Sequence, residues 1–122
     1  KEAESMGIHA IGLDFDEKMY NISKENLDVN GYKSKIIKAD FSQLTKMTDK
    51  FDGIVTDLPY GTASKSSENP EELMKKFVSI LPKRKKIAIM CKKGFEKKLK
   101  FNPIKKYEIY RHKSLTRTIL IK

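Results

Sequence analysis

The stretch "HAIGLDF" (His9–Phe15) running directly into "DEKMYNISKENLDVNGY" (Asp16–Tyr32) decides how the fold is read. The first part is a short apolar run of the buried-strand type, and the second carries Met19, Ile22 and Leu27 at helical spacing. Asp16, ahead of Glu17 and Lys18, has the position of a helix N-cap. Asn30-Gly31 closes the helix, as residues that tolerate the left-handed conformation do. A strand that passes straight into such a helix begins a strand-helix-strand unit.

Working outward from this unit, the same alternation recurs. "KSKIIKADF" (33–41) reads as a second strand, "LTKM" (44–47) as one short helical turn and "FDGIVTD" (51–57) as a third strand. "NPEELMKKFVSIL" (69–81) has an Asn cap, Pro70 at the first helical position and acids in the first turn, and Pro82 ends it. "KKIAIMCKK" (85–93) is apolar through its middle, as a strand covered on both faces should be. "KKYEIYRH" and "TRTILIK" alternate around "KSL", the pattern of a terminal antiparallel hairpin. The order predicts an α/β fold whose mainly parallel sheet ends in an antiparallel return. Before all of this, "KEAESMG" resembles the tail of a helix closed by Gly7, so the pattern starts midway and the chain is expected to be a piece of a longer protein.

Size and composition narrow the class. With 122 residues, 39% apolar and 34% charged, one domain is expected, and no apolar run approaches the ~18 residues of a membrane span. Cys91 is the single cysteine, which excludes an intrachain disulfide and suits a reducing, cytoplasmic setting. His9 and His112 are far apart, and no metal site is expected. The net charge of +10 is unevenly placed: residues 1–61 hold 8 Lys/Arg against 11 Asp/Glu, and residues 62–122 hold 18 against 5. A basic C-terminal half suits a phosphate backbone, although 23 of the 26 cations are Lys, which also fits a heat-adapted surface.

Three acids fall at the expected strand ends, where open α/β sheets bind ligands: Asp14, Asp40 and Asp57. Asp14 has the place of an acid that accepts from two ribose hydroxyls, and Asp40-Phe41 offers an acceptor beside a flat ring, as an adenine amine and face require. Any one of the three acids alone reads first as a helix or turn cap, and it is their repetition at one edge that suggests a polar ligand. In "DLPYG" (57–61), Asp57 and the carbonyl of Leu58 can accept from the two hydrogens of an exocyclic amine, Pro59 stiffens the turn, and Tyr60 can lie on a planar base. Two acceptors that draw an aromatic amine toward tetrahedral geometry localise its lone pair toward an electrophile.

On these residues the sequence resembles a known family. "DLPYG" after "FDGIVT" is similar to the (Asp/Asn/Ser)-Pro-Pro-(Tyr/Phe) motif of S-adenosylmethionine-dependent amino-methyltransferases. "YRHKSLTRTILI" resembles the ending of archaeal THUMP-containing tRNA guanosine-N2 methyltransferases, which modify position 10 of tRNA. The resemblance implies a Rossmann-like class I methyltransferase sheet, S-adenosylmethionine as cofactor and tRNA as partner. It assigns Asp14, Asp40 and Phe41 to the cofactor, and Asp57, Leu58, Pro59 and Tyr60 to the catalytic clamp. His112, Ser114 and Arg117 fall in the C-terminal signature, with a role in shaping the site or touching RNA.

Leu58 stands where the wider motif has its first proline, and no Gly-rich loop of the "DPFCGTG" sort is present, nor is a THUMP domain. The family's sheet order, 3-2-1-4-5-7-6, implies that residues 1–122 form a partial catalytic domain lacking the central first strand. The flanking strands should then pair directly, take a segment from elsewhere, or leave a groove prone to self-association. The isolated fragment is expected to be inactive. Other readings are an adenine-N6 nucleic-acid methyltransferase and a non-catalytic basic nucleic-acid-binding module. A nicotinamide-dependent oxidoreductase would share the acid at Asp14 but gives no reason for "DLPYG" and lacks a glycine fingerprint.

Overall fold

The computed structural model describes residues 1–58 and 69–122. The chain divides into two compact units, Lys1–Gln43 and Leu44–Lys122.

The first unit is built on β1 (Ile11–Asp14) and β2 (Lys35–Lys38), which pair in parallel with Asp14 opposite Lys38. The crossover is α2 (Glu17–Val29), preceded by the short α1 (Glu2–Ser5). Asp16 caps α2 as its spacing implies, its side chain accepting from Met19 N at 3.0 Å. Gly31, at φ +67°, supplies the left-handed turn after α2, and Gly7, at φ +75°, does the same after α1. Gly12 serves a different purpose: a Cβ there would lie 2.6 Å from Ile36 Cδ1, so a larger residue would make the end of the Ile36 side chain turn aside. Of the three apolar residues at helical spacing, Leu27 is buried while Met19 and Ile22 remain exposed.

Glu4 ties α1 to the start of β2. Its carboxylate accepts from the backbone N–H of Ser34 at 2.8 Å, and also from Lys33 N–H and the Ser34 hydroxyl. The Ser34 hydroxyl first, then the Lys33 amide, hold the Glu4 carboxyl below the usual carboxylate range.

The second unit is a four-stranded sheet in the order β3-β4-β6-β5. β3 (Gly53–Asp57) runs parallel to β4 (Lys86–Lys92), while β5 (Lys105–His112) and β6 (Leu115–Ile121) form the antiparallel hairpin. The helix α3 (Pro70–Ser79) joins β3 to β4, its Asn69 cap accepting from Glu71 N at 2.9 Å. Met74 and Phe77 of α3, Ile87, Ile89 and Cys91 of β4, Thr118 and Leu120 of β6, and Leu99 and Phe101 form the buried interior.

Burial along β4 strictly alternates. Ile87, Ile89 and Cys91 are buried, and Ala88 and Met90 only half-buried, so the apolar run marks one full core face rather than two. Every residue of β5 is exposed, and its Lys and Arg residues make it a charged edge that resists pairing with other chains.

The two sheet orders, β2-β1 and β3-β4-β6-β5, reproduce the 3-2 and 4-5-7-6 portions of the expected order. One sheet ends at β1 and the other at β3, and neither strand has a ladder partner on its outer side among the described residues.

Candidate functional site

Asp14 and Asp40 lie at the carboxyl end of the β1–β2 pair. Asp14 closes β1, and Asp14 O accepts from Ala39 N at 3.0 Å, which brings the chain at Asp40 alongside the strand end. Asp40 itself stands two residues beyond β2. Each carboxylate commits one oxygen locally: Asp14 Oδ1 accepts from Asp16 N at 2.9 Å, and Asp40 Oδ1 from Ser42 N at 2.8 Å. Both therefore cap a turn, and each keeps its second oxygen clear of hydrogen bonds among the described residues. Phe41 opens a 3-10 turn (Phe41–Lys46), which starts three residues earlier than "LTKM" suggests because Asp40 caps it.

The second unit carries Asp57, the last residue of β3, opposite Met90 of β4. The backbone N–H of Leu58 donates to Met90 O at 2.8 Å, extending the ladder one residue past the strand, and the Leu58 side chain is buried. Asp57 thus sits on a backbone tied to β4 both at its own position and at the next residue. Pro59 and Tyr60 lie outside the described residues.

Arg117 reaches this acid from β6. Its Nη1 donates to Asp57 Oδ2 at 2.8 Å and approaches Met90 Sδ at 3.6 Å. Strand registry explains the contact: Met90 pairs with Asp57 on one side and with Ile119 on the other, so Asp57, Met90 and Arg117 project from one sheet face. His112 and Ser114, its companions in the C-terminal signature, instead meet each other across the hairpin turn, Ser114 Oγ lying 3.1 Å from His112 Nδ1, both exposed. Sequence reading grouped the three together and missed the partner of Arg117. The signal was the antiparallel register of the hairpin against β4.

Among the described residues no group of three His, Cys, Asp or Glu side chains could hold a metal ion, and no helix is long and apolar enough to cross a membrane.

A family model described as UPF0020, RMKL-like methyltransferase domain, matches residues 1–118. A protein of Methanothermococcus thermolithotrophicus named "Probable tRNA (guanine(10)-N2)-dimethyltransferase" is 30% identical over 97% of this chain and 76% of its own length. The tRNA (guanine(10)-N2)-dimethyltransferase of Methanothermobacter thermautotrophicus is 32% identical over 98% of this chain, which spans 38% of that protein. Among solved structures, the Pyrococcus abyssi tRNA (uracil-54, C5)-methyltransferase in complex with S-adenosyl-L-homocysteine shares the fold, with a TM-score of 0.67 at 15% identity, over 95% of this chain and 28% of that one.

Proposed function

This chain belongs to the UPF0020 family, the RMKL-like methyltransferase domain, and from that premise we propose that it serves S-adenosylmethionine-dependent methylation of the exocyclic N2 amine of guanosine in tRNA. The observation that carries the reading is Asp57 at the carboxyl end of a parallel strand, with one oxygen held by Arg117 and the other without a hydrogen bond among the described residues. An acceptor held in this way suits an amine that must be oriented rather than deprotonated in advance.

Asp57 and the Leu58 carbonyl each accept one hydrogen of the amine, and Pro59 and Tyr60 complete the clamp, the Tyr60 ring stacking on an extruded base. Asp14 and Asp40 fit a nucleoside cofactor because each combines a locally fixed carboxylate with a spare oxygen, suited to ribose hydroxyls and an adenine amine respectively. Phe41, half-buried at the start of its 3-10 turn, supplies the neighbouring ring. When bound, S-adenosylmethionine supplies an electrophilic methyl group. The basic C-terminal half, with 18 Lys/Arg against 5 Asp/Glu, suits the phosphates of tRNA, which also makes the cytoplasm the proposed setting.

The test is nucleoside mass spectrometry of an unmodified tRNA transcript incubated with the full-length protein and cofactor. N2-methylguanosine or N2,N2-dimethylguanosine is expected. N6-methyladenosine would move the target to adenine, and an unmethylated transcript would remove the catalytic reading in favour of a nucleic-acid-binding module.

A further inference from the structure

Arg117 differs from three other cations of its hairpin, whereas Lys106 is paired with Glu96 and Glu108. Lys105, Arg111 and Lys113 stand exposed, available to a polyanion. The Arg117 side chain is only 20% exposed and lies back across β4, over Met90, to end on Asp57. A cation serving a phosphate backbone extends into solvent. This one is directed along the sheet to the Asp57 carboxylate.

We propose that Arg117 is a positioning residue for Asp57, fixing one carboxylate oxygen so that the other is presented to the amine being methylated. The inference rests on the reading of Asp57 as part of the amine clamp. A strand-end aspartate rotates freely about its two side-chain torsions, and a clamp must hold its acceptor to within about 0.5 Å. A charge-assisted bond from a planar, part-buried guanidinium removes that freedom. The contact uses Oδ2 alone, and Oδ1 has no hydrogen bond among the described residues. Met90, beneath the guanidinium, limits where the arginine can go, so the carboxylate is set by a group that is itself set. Lysine, a single point charge on a flexible stem, does not reproduce this arrangement.

The experiment is steady-state methyl transfer to tRNA by the full-length protein, comparing wild type with Arg117→Ala, Arg117→Lys, Asp57→Asn and the Asp57→Asn/Arg117→Ala double variant. Arg117→Ala is expected to lower kcat about 10- to 100-fold. The KM for tRNA and its salt dependence should stay near wild type, and Arg117→Lys should restore only part of kcat. In the Asp57→Asn background the same change should cost little more, because its effect passes through Asp57.

Unchanged kcat with a raised tRNA KM and a salt slope reduced by about 1 would make Arg117 a phosphate contact and overturn the proposal. Additive losses in the double variant would overturn it as well. Should Arg117→Ala fail to fold, Arg117→Lys carries the same test, with reduced kcat at unchanged tRNA KM supporting the proposal and unchanged kcat contradicting it. Wild-type protein without activity, or Asp57→Asn at full activity, would instead refute the clamp reading. An impaired Asp57→Asn beside a fully active Arg117→Ala would refute the positioning role alone.

Discussion

Arg117 Nη1 on β6 lies 2.8 Å from Asp57 Oδ2 at the end of β3, across the intervening strand β4 and 60 residues away in sequence. The contact joins the C-terminal hairpin to the acid of the "DLPYG" motif and gives a chain ending of otherwise exposed cations one defined structural task. It also shows that the two faces of this sheet differ. The face bearing Ile87, Ile89 and Cys91 is packed, whereas the face bearing Asp57, Met90 and Arg117 also carries Val55, which is 88% exposed.

That difference predicts unequal mutational costs for two β-branched residues on adjacent strands. Ile89 is 0% exposed, and Ile89→Ala should cost about 2–5 kcal/mol through lost burial and the cavity left behind. Val55→Thr, on the open face, should stay within about 0.5 kcal/mol. Urea denaturation of the purified chain measures both, and equal losses would show that the open face is covered in solution.

Thr118 is 0% exposed, and its hydroxyl has no hydrogen-bond partner among the described residues. Valine keeps the shape and removes the buried polar atom, so Thr118→Val should stabilise the chain by about 1–3 kcal/mol. A lower midpoint in the same denaturation series would mean that the hydroxyl is satisfied in solution.

Cys91 is 1% exposed. Burial pushes its thiol up to about 11, with the nearby Glu96 carboxylate adding to the effect. A folded chain that retains a proton the unfolded chain has released loses stability as pH rises, here between about 9 and about 11. Alkylation with iodoacetamide at pH 8 should be slow in the native chain and rapid in denaturant. Fast native labelling would contradict this burial.

The acid limb has the opposite sign. The Ser34 hydroxyl lowers Glu4, Lys98 and Lys75 lower Glu71, and Lys93 lowers Glu108. For Glu96, burial pushes upward but is outweighed by Lys106 and by the backbone amides of Glu96 and Gly94, leaving it lowered as well. Carboxyls lowered by folding contribute stability that is complete above the ordinary value of about 4.3 and is lost as pH falls through their depressed values. Thermal melts from pH 6 to pH 2.5 should show the midpoint falling, and Glu4→Gln should flatten part of that fall. A pH-independent midpoint would contradict these assignments.

Much of this organisation was legible in the chain. Asp16 and Asn69 announce two helices because a side-chain acceptor placed before a helical pattern satisfies otherwise unpaired amides, and both do so. Strand order followed from the resemblance. What could not be read was anything set by register: the apolar run of β4 does not reveal that only one of its faces is fully packed, and nothing local to Arg117 names Asp57. Asp40 shows the reverse ambiguity, since its carboxylate caps the 3-10 turn while its second oxygen has no hydrogen bond among the described residues, and spacing alone does not separate a cap from a ligand acceptor.

The most direct test of the central claim is transfer of a tritiated methyl group from S-adenosylmethionine to tRNA by the full-length protein, wild type against Asp57→Ala, at saturating cofactor and tRNA. The predicted result is a kcat lower by about 100-fold or more with cofactor affinity retained, as for loss of a group that orients the reacting amine. Asp57→Ala transferring methyl groups at the wild-type rate would contradict the account.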